Sequence, residues 1–195
     1  MNYLAHLFLA EDRAASRIGN LLGDFVTGRP EEIELPPEVV AGIVRHRAID
    51  RFTDEHPAVA GARRHIRGER RRFANAILDI CFDHLLATSW DDRHPRPLRQ
   101  FLDGFYAEMR EHRDWLPGEL ASNLDQRLAD DWLGHYGTEV GLREVFLRVV
   151  RRRPACAAMS GAEEILQTHR AVVTAAFESL LPDLRRHLDA LGPEC

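Results

Sequence analysis

Apolar residues recur at helical spacing along almost the whole chain, and no stretch sustains the alternation expected of a strand. The pattern predicts helices over residues 3–10 and 16–26, the second stopped by Gly28-Arg29-Pro30. A loop with Glu31, Glu32 and Glu34 follows. Pro36-Pro37 then opens a helix to residue 52, proline being well tolerated in a first turn. Further helices are predicted over residues 59–66, 69–90, 98–113, 118–133, 139–150 and 162–191. Residues 91–97 read as a loop, Arg151-Arg152-Arg153-Pro154 as a turn or helix end, and Pro182 as a point that bends or divides the last helix. No repeat, low-complexity tract or long linker interrupts this order. The expectation is a single all-α domain over residues 1–195.

Composition narrows the function classes. With 195 residues, 45% of them hydrophobic, the chain can bury a substantial core and is not a disordered segment. Its 26 basic and 31 acidic side chains give a net charge of −5, which argues against a nucleic-acid coat protein. No segment approaches the ~18 apolar residues of a membrane span, and the start Met1-Asn2-Tyr3-Leu4-Ala5-His6 lacks the features of a signal peptide. Cys81, Cys156 and Cys195 form no metal-binding doublet, so a reducing cytoplasm is the expected home. Every basic residue is arginine. Codon preference is the expected cause, and the result leaves only forked, bidentate cations to meet carboxylate or phosphate.

The chemistry sits where charged residues interrupt apolar faces. On a helix over residues 37–52, His46 and Asp50 share one face with Val39 and Ile43, within about 60° of arc. A His–Asp hydrogen bond would explain that pair alone. Residues 76–87 are harder to explain so, because Asp79, Asp83 and His84 stand among apolar neighbours on every side. A buried, unpaired carboxylate costs several kcal/mol, and no lysine exists to neutralise it. Asn20 and Asp24 repeat the one-turn spacing, as do Asn2 and His6, though a helix cap is the simpler role for Asn2. Together His6, Asp24, His46, Asp50, Asp79, Asp83 and His84 suggest a site of imidazole and carboxylate within a helical bundle. Such ligands without thiolate suit manganese, magnesium or iron better than structural zinc. Structural polar contacts are the alternative.

At these residues the chain resembles the acyl carrier protein phosphodiesterases. The resemblance lies in Met1-Asn2-Tyr3-Leu4-Ala5-His6-Leu7, in Gly19-Asn20-Leu21-Leu22-Gly23-Asp24-Phe25-Val26, in residues 46–54 beginning His46-Arg47-Ala48-Ile49-Asp50-Arg51, and in Leu78-Asp79 through Phe82-Asp83-His84. It implies a distorted bundle of the HD-phosphohydrolase kind and the removal of 4′-phosphopantetheine from holo-acyl carrier protein. The cofactor implied is Mn2+, with Mg2+ or Fe2+ possible. By position it implicates His6, Asp24, His46, Asp50, Asp83 and His84 as metal ligands, with Asp24, Asp79 and His84 as catalytic groups. The chain departs from the family at Phe8, where a second histidine is usual, so Phe8 is no ligand.

On that reading a metal-activated water attacks phosphorus and the carrier's serine oxygen leaves, with Asp79 or His84 moving protons. Arg47 or Arg51 would hold phosphate oxygens. The carrier is small and acidic, so a basic surface should receive it. Residues 63–72 hold Arg63, Arg64, Arg67, Arg70, Arg71 and Arg72 against a single Glu69, although a charge run is also an ordinary solvated face. Arg151 to Arg153 form a weaker second candidate. The competing function is an HD-type hydrolase of nucleotides or small phosphoesters, and a third reading is a non-catalytic helical binding module.

Overall fold

Two glycines let the second and third helices meet backbone to backbone. In a computed structural model describing residues 1–194, α2 (Ala14–Leu22) crosses α3 (Pro37–Glu55) at Gly19 and Gly42. A Cβ on Gly19 would overlap the Val39 carbonyl, and one on Gly42 would press on Ser16 O and the Gly19 Cα. Ile18, Leu21, Leu22, Val39, Ile43 and Ile49 are fully buried around the crossing. Arg17 pins α2 to α6 (Leu98–Glu111) through Glu108, and Asp12 Oδ1 takes a second bond at 2.7 Å.

The core is organised on α5 (Ala74–Thr88), where Ile77, Leu78 and every residue from Ile80 to Ala87 are buried. A helix apolar on all sides must be covered on all sides. It packs against α1 (Tyr3–Leu9), α4 (Pro57–Arg63), α9 (Glu139–Arg152) and α10 (Glu164–Leu191), and against the 3-10 turn Gly134–Gly137. Short helices α7 (Gly118–Ser122) and α8 (Leu124–Ala129) complete ten α-helices, with no strand among the described residues. The all-α expectation holds. Among the described residues no helix is long and apolar enough to cross a membrane. Cys81 and Cys156 are free, and Cys195 lies outside the described residues.

Three predicted elements come out differently. The helix expected over residues 69–90 begins only at Ala74, because Gly68 adopts φ +63° and Gly68–Phe73 winds as a 3-10 turn with no buried face. The helix expected over 118–133 breaks at Asn123 and ends at Ala129, with Asp131 at φ 45°. There the Tyr106 hydroxyl takes over, donating to Asp131 Oδ1 and accepting from Leu133 N. Pro182 does not divide α10. It sits inside the helix on an exposed face, and the non-helical residue is instead His169, at φ −119° and ψ 26°.

The α2–α3 crossing has a test with a sign. Alanine in an exposed helix interior stabilises by ~1 kcal/mol over glycine, whereas overpacking costs ~1–3 kcal/mol. Gly42→Ala should therefore lower the stability measured by urea unfolding. An unchanged or raised midpoint would show that the helices do not touch there.

Candidate metal centre

His6 of α1 converges with His46 and Asp50 of α3, and α2 packs against both helices. Their ligand atoms lie within 4.8 Å of one another. His46 Nδ1 stands 2.7 Å from the Asn20 carbonyl oxygen, which only accepts, so Nδ1 carries a hydrogen and Nε2 is turned inward. Nε2 lies 3.0 Å from Asp50 Oδ2 and 3.7 Å from Asp24 Oδ1. His6 stacks on His46 at 3.8 Å between ring centroids, and its Nε2 is 3.1 Å from Asp50 Oδ1. The His6 Nδ1 is buried with no partner. Gly23 explains how this fits: a Cβ there would overlap the His46 ring.

Two further carboxylates border the cluster. Asp24 follows α2, with its side chain 43% exposed, and Asp79 extends from α5, half-buried at 22% exposed, and both face the cavity that opens on the cluster. The Met1 amino group is 3.0 Å from Asp79 Oδ1 and 3.3 Å from Asp50 Oδ1. Burial would lower its pKa, but these carboxylates raise it to about 10. Burial pushes the Asp24 and Asp79 carboxyls up. Burial also acts to raise Asp50, yet its bonds from His46 and His6 hold it far below the usual carboxylate range. His6 is lowered to about 4 by burial. For His46 burial is outweighed by the Asp50 bond and charge, and the net shift is upward.

Three carboxylates gathered around two imidazoles call for positive charge. Each Nε2 faces a carboxylate, and without a cation only imidazole protons and the Met1 amine supply it. Two imidazoles, a strongly ionised carboxylate and two flanking acids, without thiolate, are a donor set that fits a divalent ion of the manganese, magnesium or iron kind.

The structure moves two expected ligands elsewhere. Asp83 is fully buried, and both its oxygens are taken, Oδ2 by Leu4 N at 2.7 Å and Oδ1 by Ala5 N at 3.0 Å. It caps α1. Burial raises its pKa to about 7 against the opposing effect of those two bonds. His84 lies off the cluster: its Nδ1 donates to the Tyr136 carbonyl at 2.8 Å, and its charged neighbours are Arg170 and Glu139. A helical wheel places both residues on buried faces but names no partner. Phe8 meets the Trp90 ring edge-on at 5.3 Å, as an apolar residue should.

The expected phosphate and carrier arginines divide likewise. Arg47 spends its guanidinium on the Val26 and Gly28 carbonyls, fixing the loop after Asp24. Arg51 is exposed on α3. Arg63 is bound to Asn75 and to the Asp54 carbonyl, and Arg70 to Glu164 and the carbonyls of Ala158 and Ser160. Arg64, Arg67 and Arg71 are exposed with no ion pair among the described residues, and Arg72 lies 4.7 Å over the Phe73 ring.

A cavity of about 660 Å³ opens on the cluster. Asp24, Asp50 and Asp79 line it next to the cluster, and Arg127, Arg148, Arg152 and Arg153 line it as well, with Asp130 among them. Arg127 and Arg148 were invisible to sequence reasoning, standing isolated in polar helix faces. The Arg151–Arg153 run, which the sequence marks as a turn or helix end and a second carrier candidate, ends α9, and Arg152 and Arg153 also line the cavity.

The family model described as acyl carrier protein phosphodiesterase matches residues 1–184. The chain is 35% identical over 187 residues to the acyl carrier protein phosphodiesterase of Yersinia pestis, covering 95% of this chain and 96% of that protein. It is 36% identical to the Escherichia coli O157:H7 protein of the same name, covering 93% of this chain and 94% of that one. The Photorhabdus laumondii protein of that name is 35% identical over 183 residues, 93% of this chain and 92% of its own. No solved structure matches the chain.

The placement of residues makes a contrast that metal binding can read. In equilibrium dialysis with manganese, Asp50→Asn should weaken binding at least tenfold, while His84→Gln should leave it unchanged. Equal losses in both would restore His84 to the centre.

Proposed function

The chain belongs to the acyl carrier protein phosphodiesterase family, and from that premise we propose that this phosphodiesterase releases 4′-phosphopantetheine from holo-acyl carrier protein with a divalent ion, manganese, held at its helical cluster. The observation that carries the reading is the convergence of His6, His46 and Asp50 on one point beside a cavity with an acidic and an arginine wall. A divalent ion at such a site neutralises phosphodiester charge and lowers the pKa of a water. The protein supplies the rest.

His6, His46 and Asp50 hold the ion. Asn20 fixes the His46 ring through its carbonyl, and Gly23 leaves room for it. Asp24, open to the cavity, takes the proton of the attacking water as its oxygen bonds to phosphorus. The phosphorus–oxygen bond to the carrier's serine breaks, and Asp79, whose carboxyl burial raises, returns a proton to that oxygen. One water is consumed, and the products are apo-carrier and 4′-phosphopantetheine. Free Cys81 and Cys156 accord with a reducing cytoplasm.

The acidic carrier docks on Arg64, Arg67, Arg71 and Arg72. Arg72 rests on Phe73, and Phe73 lines the cavity, so this basic surface runs up to the cavity's edge. Charges on such a surface speed encounter and are screened by salt.

Incubating holo-acyl carrier protein with the protein and manganese should remove the arm, seen as the corresponding mass loss. No loss, with turnover of a nucleotide panel instead, would replace this reading with the small-phosphoester one. The reaction's kcat/KM should fall at least tenfold in Arg67→Glu/Arg71→Glu, mostly through KM, and fall steeply with ionic strength. A flat salt response would remove this face from carrier recognition.

A further inference from the structure

Three aromatic rings and three guanidiniums line the cavity beside the acids. Tyr3 stacks on Phe25 at 6.1 Å on one side and meets Trp132 at 5.2 Å on the other. Each outer ring carries an arginine, Arg152 at 5.8 Å over Phe25 and Arg127 at 5.4 Å over Trp132. Arg153 adds a third guanidinium with no ion pair among the described residues. Among the described residues Glu119 alone ion-pairs with them, 2.9 Å from Arg152 and 3.9 Å from Arg127, and Asp130 lines the same cavity without an ion pair to any of the three. The Arg127 Nε is buried with no hydrogen-bond partner. Burial and the neighbouring Arg152 both lower the Arg127 pKa. Cations gathered to this excess in a partly enclosed space are unfavourable until an anion enters.

The position of Tyr3 sets which anion. Its hydroxyl feels Asp24 on one side and Arg152, Arg127 and Arg153 on the other, and burial is the main cause of its pKa rising to about 12. It therefore stays protonated and can donate. An anion here lies between the arginine wall and the metal cluster. The rest of the lining, including Ile80, Val145, Val149 and Met159, is apolar and suits a flexible chain attached to that anion.

We propose that Arg127, Arg152 and Arg153, with the Tyr3 hydroxyl, form a phosphate subsite that grips the phosphate of the phosphopantetheine arm. This rests on the phosphodiesterase reading for its ligand, and on the cavity alone for its chemistry. Arginine forks match two phosphate oxygens at once, so the subsite holds the diester before cleavage and the monoester after it. The same grip makes the released arm a product inhibitor.

The test measures calorimetric binding to the full-length protein in saturating manganese. The wild type should bind 4′-phosphopantetheine at least tenfold more tightly than pantetheine, which lacks the phosphate. Arg127→Gln/Arg153→Gln should lose at least tenfold in affinity for 4′-phosphopantetheine, with manganese affinity and pantetheine binding unchanged. The exposed Arg153→Gln alone should show a smaller loss in the same direction, which guards against misfolding of the double variant. Unchanged affinity for 4′-phosphopantetheine in both variants would overturn the subsite. Tighter binding of adenosine monophosphate than of 4′-phosphopantetheine would overturn the assigned ligand. Cleavage of holo-carrier is scored separately. Cleavage without arginine dependence sinks the subsite alone, and arginine-dependent binding without cleavage sinks the substrate reading alone.

Discussion

One buried carboxylate sets the position of everything at the centre. Asp83 sits on the helix that forms the core and receives the N–H groups of Leu4 and Ala5 with its two oxygens. Isolation of that carboxylate would cost several kcal/mol, and two charge-assisted bonds at a helix N-terminus offset the cost. The seven residues of α1 are too few to form a helix unaided, so its register comes from this contact and its buried leucines. Shifting α1 would carry His6 away from Asp50, Asn2 from the Tyr136 hydroxyl and Tyr3 from its stack between Phe25 and Trp132. The His6–His46–Asp50 cluster and the arginine-lined part of the cavity thus share one anchor.

Much of this was legible in the sequence, for reasons that also mark its limits. Helical periodicity gave the all-α class and most boundaries. Polar residues on buried faces gave His46 and Asp50, whose one-turn spacing leaves little freedom once α3 packs. The same argument failed to separate a ligand from a cap, because Asp83 and His84 satisfy it equally and only tertiary partners distinguish them. Glycine roles were hidden too. Gly19 and Gly23 stood within a recognised motif, but their purpose, a backbone crossing and a space for an imidazole ring, depends on α3. Arg47, Arg63 and Arg70 read as free cations and turned out to hold carbonyls, since no local pattern reveals where a long side chain ends.

The cavity separates two tasks by charge. Carboxylates and imidazoles on one wall need a cation, and arginines on the other need an anion. A metal–phosphate pair satisfies both at once, and neither wall would tolerate the other's ligand alone. A third charged surface, around Arg64, Arg67 and Arg71, faces outward, where screening is strong and recognition is a matter of encounter rather than chemistry. The net acidity of the chain hides this arrangement, because the acids at the centre act locally.

The central claim is that two imidazoles, from His6 and His46, bind one ion. Pulsed electron paramagnetic resonance of the manganese-loaded protein, with histidine labelled with 15N, reads this directly. Couplings from two histidine nitrogens are expected, reduced to one in His46→Gln. Couplings from no histidine, or a set unchanged in His46→Gln, would contradict it.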